Sequence, residues 1–335
     1  MAFTATIIIT GGTSGLGYHC ALILARQNPN YLIIVASRKD SPTSASSINK
    51  ILKQNNAIFL PLDLSKLNNI RAFASVFSKA NYPPIKALLL NAALQFPTGL
   101  NMTDDGIEAS FGVTHVGHAL LYHLLAPHLA DNARIVVTSS GTHDPAQKTG
   151  LPDAVYISAE MLAHPTGEWA TMKDGLQRYS TSKLANVLWT HALNRRLENQ
   201  HPSSSDGQKK GSGKRITVTA MDPGLMPATS LVREWTMFKI IPGFVWFKII
   251  PLLTPLARRF VNSNIHTAEE SGAALAGLAT DERFEGVSAK YFEGTREIES
   301  SVDSYNVAFQ DNLWEWTVKY ISESEEERAR FDVGR

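Results

Sequence analysis

The chain has 335 residues, with 32 basic against 31 acidic side chains and 44% hydrophobic residues. That balance excludes a surface built to hold a polyanion, so nucleic acid is not an expected partner, and it fits a globular fold round an apolar core. The length is large for one domain, yet a single α/β domain with insertions reaches it, and one domain over 1–335 is the expectation. Cys20 is the only cysteine, which excludes an intrachain disulfide and points to a reducing, cytoplasmic compartment. It reads as a small buried apolar side chain.

The chain opens on an apolar run, Thr6 to Ile9, with no room for a signal segment before it. TGGTSGLG follows, from Thr10 to Gly17, and a helical run starts at Tyr18. A strand feeding a glycine turn and then a helix places backbone N–H groups and a helix N-terminus where a diphosphate would sit. Gly11, Thr13, Ser14, Gly15, Leu16 and Gly17 are the candidate nucleotide contacts.

Tyr31 to Ala36 (YLIIVA) is the continuous apolar run of a strand covered on both faces, and it ends in Ser37, Arg38 and Lys39. An acidic residue here would bond a ribose 2′-OH, whereas Arg38 suits a 2′-phosphate, so NADP is the expected cofactor. A polar segment, 41–47, leads to a helix through Gln54. The strand Ala57 to Leu62 then ends at Asp63, and Ser65 is the expected N-cap of the next helix. Ile85 to Leu90 (IKALLL) runs into Asn91-Ala92-Ala93, small residues at a strand end. The alternation predicts a doubly wound Rossmann-type α/β domain, a mostly parallel seven-stranded sheet with helices on both faces.

Asp104 to Leu129 has a helical pattern carrying His115, His118, His123 and His128. With no accompanying Cys or carboxylate pattern these read as helix-face histidines, and no metal is expected. The strand Arg134 to Thr138 delivers Ser139 and Ser140 to the same edge as Gly15 and Asn91. Residues 141–178 carry three prolines and read as an insertion over the pocket. Tyr179 to Glu198 is helical, with Leu184, Val187, Leu188 and Ala192 on one stripe.

Residues 201–214 are polar and read as a mobile surface loop. The strand Arg215 to Met221 stops at Asp222-Pro223-Gly224. Within 230–260, the stretch 235–253 is strongly apolar but broken by Lys239, Pro242, Lys248 and Pro251, so it is no spanning helix. A lid over an apolar substrate is the favoured reading, with peripheral membrane contact or a partner interface as the others. Thr267 and Glu270 form a capping box opening a helix, Ala268 to Ala279. Lys290 to Phe292 is the last strand, and from Asn312 a closing helix leads into a charged, frayed tail.

Tyr179 and Lys183 stand four apart and share a helix face. Tyr82 and Lys86 match the spacing, but Pro83 and Pro84 between them forbid the ordinary helix. A free phenol titrates near 10, too high for fast proton exchange near neutrality. A nearby ammonium is expected to lower it by about one to three units. A Ser140 hydroxyl facing the same space would hold a carbonyl oxygen.

Taken in order, TGGTSGLG, Asp63-Leu64, Asn91-Ala92-Ala93, Ser139-Ser140, Tyr179-Ser-Thr-Ser-Lys183 and Pro223-Gly224 resemble the short-chain dehydrogenase/reductase family over nearly the whole chain. The long Ser-to-Tyr interval, the NAA turn and Val116-Gly-His118 are more similar to its retinol dehydrogenase and protochlorophyllide reductase branches. The resemblance implies Tyr179 as proton donor or acceptor, Lys183 holding the nicotinamide ribose and lowering the phenol's pKa, and Ser140 orienting substrate. It also implies adenine contact at Asp63, a cofactor wall at Asn91, nicotinamide packing near Pro223 and Gly224, and an oligomer of identical chains. One position departs from the pattern: Thr114 stands where the family usually has Asn, which helps hold a water linking the Lys to solvent. The expected activity is NADP(H)-dependent interconversion of a carbonyl and an alcohol on an apolar small molecule. The rival reading is a non-catalytic nucleotide-binding sensor or assembly protein.

Overall fold

The computed structural model describes residues 2–40, 43–171, 175–200, 215–226, 258–259 and 264–332. The polar loop at 201–214 and the apolar stretch at 235–253 lie outside the described residues, as does nearly all of 230–260.

One sheet organises the rest, in the order β3-β2-β1-β4-β5-β6-β7-β8. Its strands are β1 (Ala5–Thr10), β2 (Tyr31–Ser37), β3 (Ala57–Pro61), β4 (Ile85–Leu90), β5 (Leu129–Thr138), β6 (Thr217–Asp222), β7 (Tyr291–Glu293) and β8 (Arg296–Ile298). All neighbours pair in parallel except β7 and β8. The expected seven strands are therefore eight. After β7 the chain turns back through Gly294 and Thr295, a two-residue hairpin that adds an antiparallel edge strand.

β1 is buried along its whole length and shows how the sheet divides two cores. Ile8 faces a cluster with Ile70, Phe73 and Leu120, while Ile7 and Ile9 face another with Leu24, Ile48 and Leu275. Successive strand side chains point to opposite faces, so three isoleucines in a row serve both. The chain moves outward from β1 to β3, then crosses back to β4 on the other side of β1. This reversal opens a crevice at the carboxyl ends of β1 and β4, where ligands of doubly wound sheets bind.

Several local expectations are corrected. Ser65 is not an N-cap: its N–H and hydroxyl both donate to Asp63 Oδ1 (3.1 and 2.6 Å), and the helix starts at Leu67. The aspartate two residues back competes successfully for the serine. The histidine-bearing helix begins at Ala109 rather than Asp104, with Glu108 Oε2 capping the Phe111 N–H at 2.7 Å, and it widens to a π-turn over Gly112–Val116. The closing helix begins at Val307, and the tail is ordered as a second helix, Glu325–Phe331. Glu327 pairs with Arg71 at 2.8 Å, and buried Phe331 stacks on His123 with centroids 4.7 Å apart.

Candidate active site

The glycine turn makes the first wall. Gly11 and Gly15 have φ of +67° and +54°, a region that side chains disfavour. Gly17 is needed for a different reason: a Cβ there would lie 2.3 Å from the Gly11 carbonyl and 2.9 Å from Asn91 Nδ2. The helix Gly15–Gln27 therefore starts directly against the turn. Its N-cap, Ser14, makes no side-chain cap bond.

Neutral hydrogen bonds tie this turn to the NAA segment. Thr10 Oγ1 accepts from the Asn91 and Ala92 N–H groups at 2.8 and 3.0 Å, while Asn91 Nδ2 donates to the Thr10 carbonyl at 2.8 Å. His118 Nε2 lies 2.8 Å from the same hydroxyl, and its Nδ1 lies 2.9 Å from the Thr114 carbonyl. The carbonyl can only accept, so Nδ1 carries the proton and Nε2 accepts from Thr10. Burial pulls the imidazole down to about 4, which keeps it neutral. His115 likewise bonds Thr317 Oγ1 at 3.0 Å and His128 bonds Ser78 Oγ at 2.8 Å.

The opposite wall is the helix Gly175–Gln200, one turn longer at its start than the spacing predicts and buried well beyond the expected stripe. Lys183 is 2% exposed; its Nζ donates to the Thr138 carbonyl at 3.1 Å and sits 5.6 Å from the Tyr179 ring centroid. The Ser140 side chain favours the ionised form of the phenol. Ser140 lies two residues beyond β5 and is itself fixed: its carbonyl accepts from His143 Nδ1 at 2.8 Å, and its hydroxyl accepts from the Thr142 N–H at 3.3 Å. Ser139 lines the cleft, and its hydroxyl donates to the Lys183 carbonyl at 2.8 Å. Of the other Tyr and Lys at this spacing, Tyr82 falls in the irregular segment before β4 and Lys86 within β4.

The charges differ from expectation. Lys183 was to lower the Tyr179 phenol, yet burial pushes that phenol well above its ordinary range, the Asp222 carboxyl adds to the rise, and only the Ser140 side chain opposes it. The physical reason is desolvation: a dry site penalises the phenolate, and it pulls Lys183 itself down to about 7, with Asp222 opposing. Thr114 keeps a buried hydroxyl with no partner, while Lys183 bonds Thr138. Cys20 is fully buried, and burial pushes its thiol up.

One cleft gathers most of the predicted contacts: Gly11, Ser14, Gly15, Leu16, Gly17, Ser37, Arg38, Asp63, Asn91, Tyr179, Lys183 and Pro223 line it. Thr13 is 9% exposed behind the turn, and Ser140 and Gly224 are not in the lining. Sequence reasoning missed Ala36, Leu62, Gln95, Val113, Thr138 and Met226 as lining. Ala36 and Thr138 were findable, because a strand's carboxyl end is where such a fold meets its ligand. A dinucleotide fits these residues: backbone at positive φ, a helix start without a side-chain cap and a glycine whose Cβ would close the turn together form an anion cradle. Among the described residues, no cluster of three or more His, Cys, Asp or Glu could hold a metal ion.

Comparison with known proteins bears on this geometry. The family model described as short chain dehydrogenase matches residues 5–152. Dehydrogenase/reductase SDR family member 13 of Bos taurus is 30% identical, over 98% of this chain and 76% of its own. The short-chain dehydrogenase iccH of Talaromyces variabilis is 30% identical, over 82% of this chain and 84% of its own. The chain belongs to the short-chain dehydrogenase family. Solved structures share the fold of this short-chain dehydrogenase: an uncharacterized protein from Mycobacterium paratuberculosis superposes with a TM-score of 0.65 at 22% identity, covering 96% of this chain and 94% of that one. The actinorhodin polyketide ketoreductase, a crystal structure with NADPH, does so with a TM-score of 0.58 at 19% identity, over 87% of this chain and 97% of that one. No helix among the described residues of this short-chain dehydrogenase is long and apolar enough to cross a membrane.

Proposed function

We propose that this protein is an NADP(H)-dependent oxidoreductase that interconverts a carbonyl and an alcohol on an apolar small molecule. The observation that carries the reading is that Tyr179 and Lys183, with the Lys183 Nζ 5.6 Å from the Tyr179 ring, line the same cleft as the glycine turn, Asn91 and Arg38. A dinucleotide would be held by the N–H groups of the Gly11 to Gly17 turn, by Asp63 and Asn91, and by Lys183, Pro223 and Gly224 at its nicotinamide end. When bound, it supplies or accepts a hydride. Ser140 then holds the substrate oxygen, and Tyr179 gives it a proton in reduction or takes one in oxidation. Arg38, at the end of β2, supplies the charge that a 2′-phosphate calls for. The NADPH in the ketoreductase structure, a distant relative in fold, adds weight to the same cofactor.

The surrounding segments keep their readings as proposals: one domain over 1–335 and residues 141–178 as an insertion beside the pocket. Membrane contact through 235–253, self-association and a cytoplasmic location belong with them. The non-catalytic sensor is the second reading, favoured by one observation, the unpartnered Thr114 hydroxyl at the position where the resemblance expects Asn. Following nicotinamide absorbance with NADPH and a panel of ketones, aldehydes and quinones tests the proposal. Oxidation of NADPH with at least one carbonyl class is the expected result. Silence across the panel from protein that binds NADPH would hand the case to the sensor.

A further inference from the structure

One polar side chain of the cleft has no task in the chemistry above. Gln95 is 6% exposed and lines the cleft with Tyr179 and Lys183, and its Nε2 has no hydrogen-bond partner. Among the described residues other buried side-chain atoms also lack a partner, those of Thr114 and Ser180 included, but of all these residues Gln95 alone lines the cleft. A carboxamide carries two N–H donors, and a buried donor left unmet opposes folding. At the wall of a ligand cleft the missing partner is a ligand atom.

The backbone that carries Gln95 is anchored on both sides. Upstream, the Asn91 and Ala92 N–H groups are bonded to Thr10, and Leu94 packs against the core cluster that holds Ile8. Downstream, Phe96 and Pro97 press on the start of the helix Gly175–Gln200: a Cβ on Gly175 would lie 2.2 Å from the Phe96 carbonyl oxygen and 2.6 Å from that of Pro97. Gly175 stands about one helical turn before Tyr179. Arg178, the residue next to Tyr179, closes the clamp. Its guanidinium donates to the carbonyls of Gly99, Trp169 and Thr171, the last two at 3.0 and 3.2 Å, and its Nε stands 3.9 Å from the buried Glu108 carboxyl. The segment thus meets the long helix beside Tyr179, away from Arg38 and Asp63 at the ends of β2 and β3, and the amide is held in place before any ligand arrives.

We propose that Gln95 is a specificity-determining residue whose amide N–H donates to a second carbonyl oxygen of the substrate, which makes that substrate an apolar dicarbonyl compound. The inference deepens the oxidoreductase reading above and rests on it. One carbonyl carbon takes the hydride from the bound dinucleotide and its oxygen takes the Tyr179 proton, giving an alcohol. The other carbonyl stays intact and accepts from Gln95, so the product is a hydroxycarbonyl compound. A carbonyl suits the position because it accepts without bringing a donor of its own, whereas a hydroxyl brings one. A buried donor also discriminates: an analogue without the second oxygen leaves Gln95 unpaired and reacts less efficiently.

The test is kcat/KM of the full-length protein with NADPH for 2-nonanone and for the nonanediones that add a second carbonyl anywhere from the fourth to the eighth carbon. In the wild type at least one dione is expected to exceed 2-nonanone by about tenfold or more, and in Gln95→Leu that ratio is expected to fall towards one. Gln95→Met, unbranched and also without a donor, carries the same comparison where leucine folds poorly. A merely structural role would lower both ketones together and leave the ratio standing. A wild type that favours no dione, or a ratio that survives in a folded variant, overturns the assignment. So does a loss of NADPH affinity as large as the loss in the ratio, because the amide then serves the cofactor. Where the wild type turns over no carbonyl, calorimetric binding of the same ketones to the NADPH complex decides. A dione preference lost in Gln95→Leu then supports the assignment and sinks the oxidoreductase reading, whereas binding without preference overturns the assignment.

Discussion

The two rims of the cleft are held by different physics. On the nucleotide side, Thr10, Asn91 and His118 are neutral groups joined by hydrogen bonds of 2.8 to 3.0 Å round a glycine turn. On the Tyr179 side, Lys183, Asp222 and a phenol lie buried together, burial shifts all three, and the Asp222 carboxyl shifts the other two. The first rim depends on shape and on staying uncharged, whereas the second depends on which protons are in place. Conditions that leave one intact can therefore disable the other.

Acid is the strongest challenge to the buried neutral imidazoles, of which His118 belongs to the first rim and His143, also pulled down to about 4, stands beside the second. His115, His118 and His123 are held neutral by burial, down at about 3, 4 and 3, whereas in the unfolded chain they return to about 6.5. Below 6.5 the unfolded state binds more protons, so stability is lost as the pH falls, by about 1.4 kcal/mol per histidine per pH unit, or about 4 kcal/mol for three. Urea melts between pH 7 and 5 should show that loss, and Glu270, held down at about 2 by Arg258, should not contribute in this window.

The next largest effect is expected at Gly17. Alanine there forces the turn off the helix, at a cost of about 1–3 kcal/mol, so NADPH affinity should fall roughly ten- to a hundredfold by fluorescence titration. Smallest is the discrimination between cofactors. Arg38→Ala should weaken NADPH about tenfold or more, the worth of a charge-assisted bond, with NADH little changed. Equal weakening of both would remove the 2′-phosphate argument.

The neutral rim was legible in the sequence because its rules are local. A glycine pattern between a strand and a helix says where the backbone must turn, and apolar runs locate strands buried on both faces. β1, β2 and β4 and the alternation came directly from that. The charged rim was half legible. The Tyr179 and Lys183 spacing put both residues on the helix, but the sign of the electrostatic effect on the phenol depends on burial and on Asp222, a residue close in space through another strand. Ser65 failed similarly, since its fate was decided by competition from Asp63. β7 was read as the last strand, but β8 was missed because a three-residue strand carries almost no periodicity to read, and the tail because the docking of Phe331 on His123 is a tertiary fact.

The central claim is that Tyr179 is the proton donor within this cleft. Its most direct test is steady-state turnover of Tyr179→Phe beside wild type, on whichever carbonyl the panel identifies, with NADPH affinity measured on the same samples. The account predicts unchanged NADPH binding and turnover lowered by roughly 10²–10⁴. A phenylalanine variant that binds NADPH and turns over at the wild-type rate would contradict it.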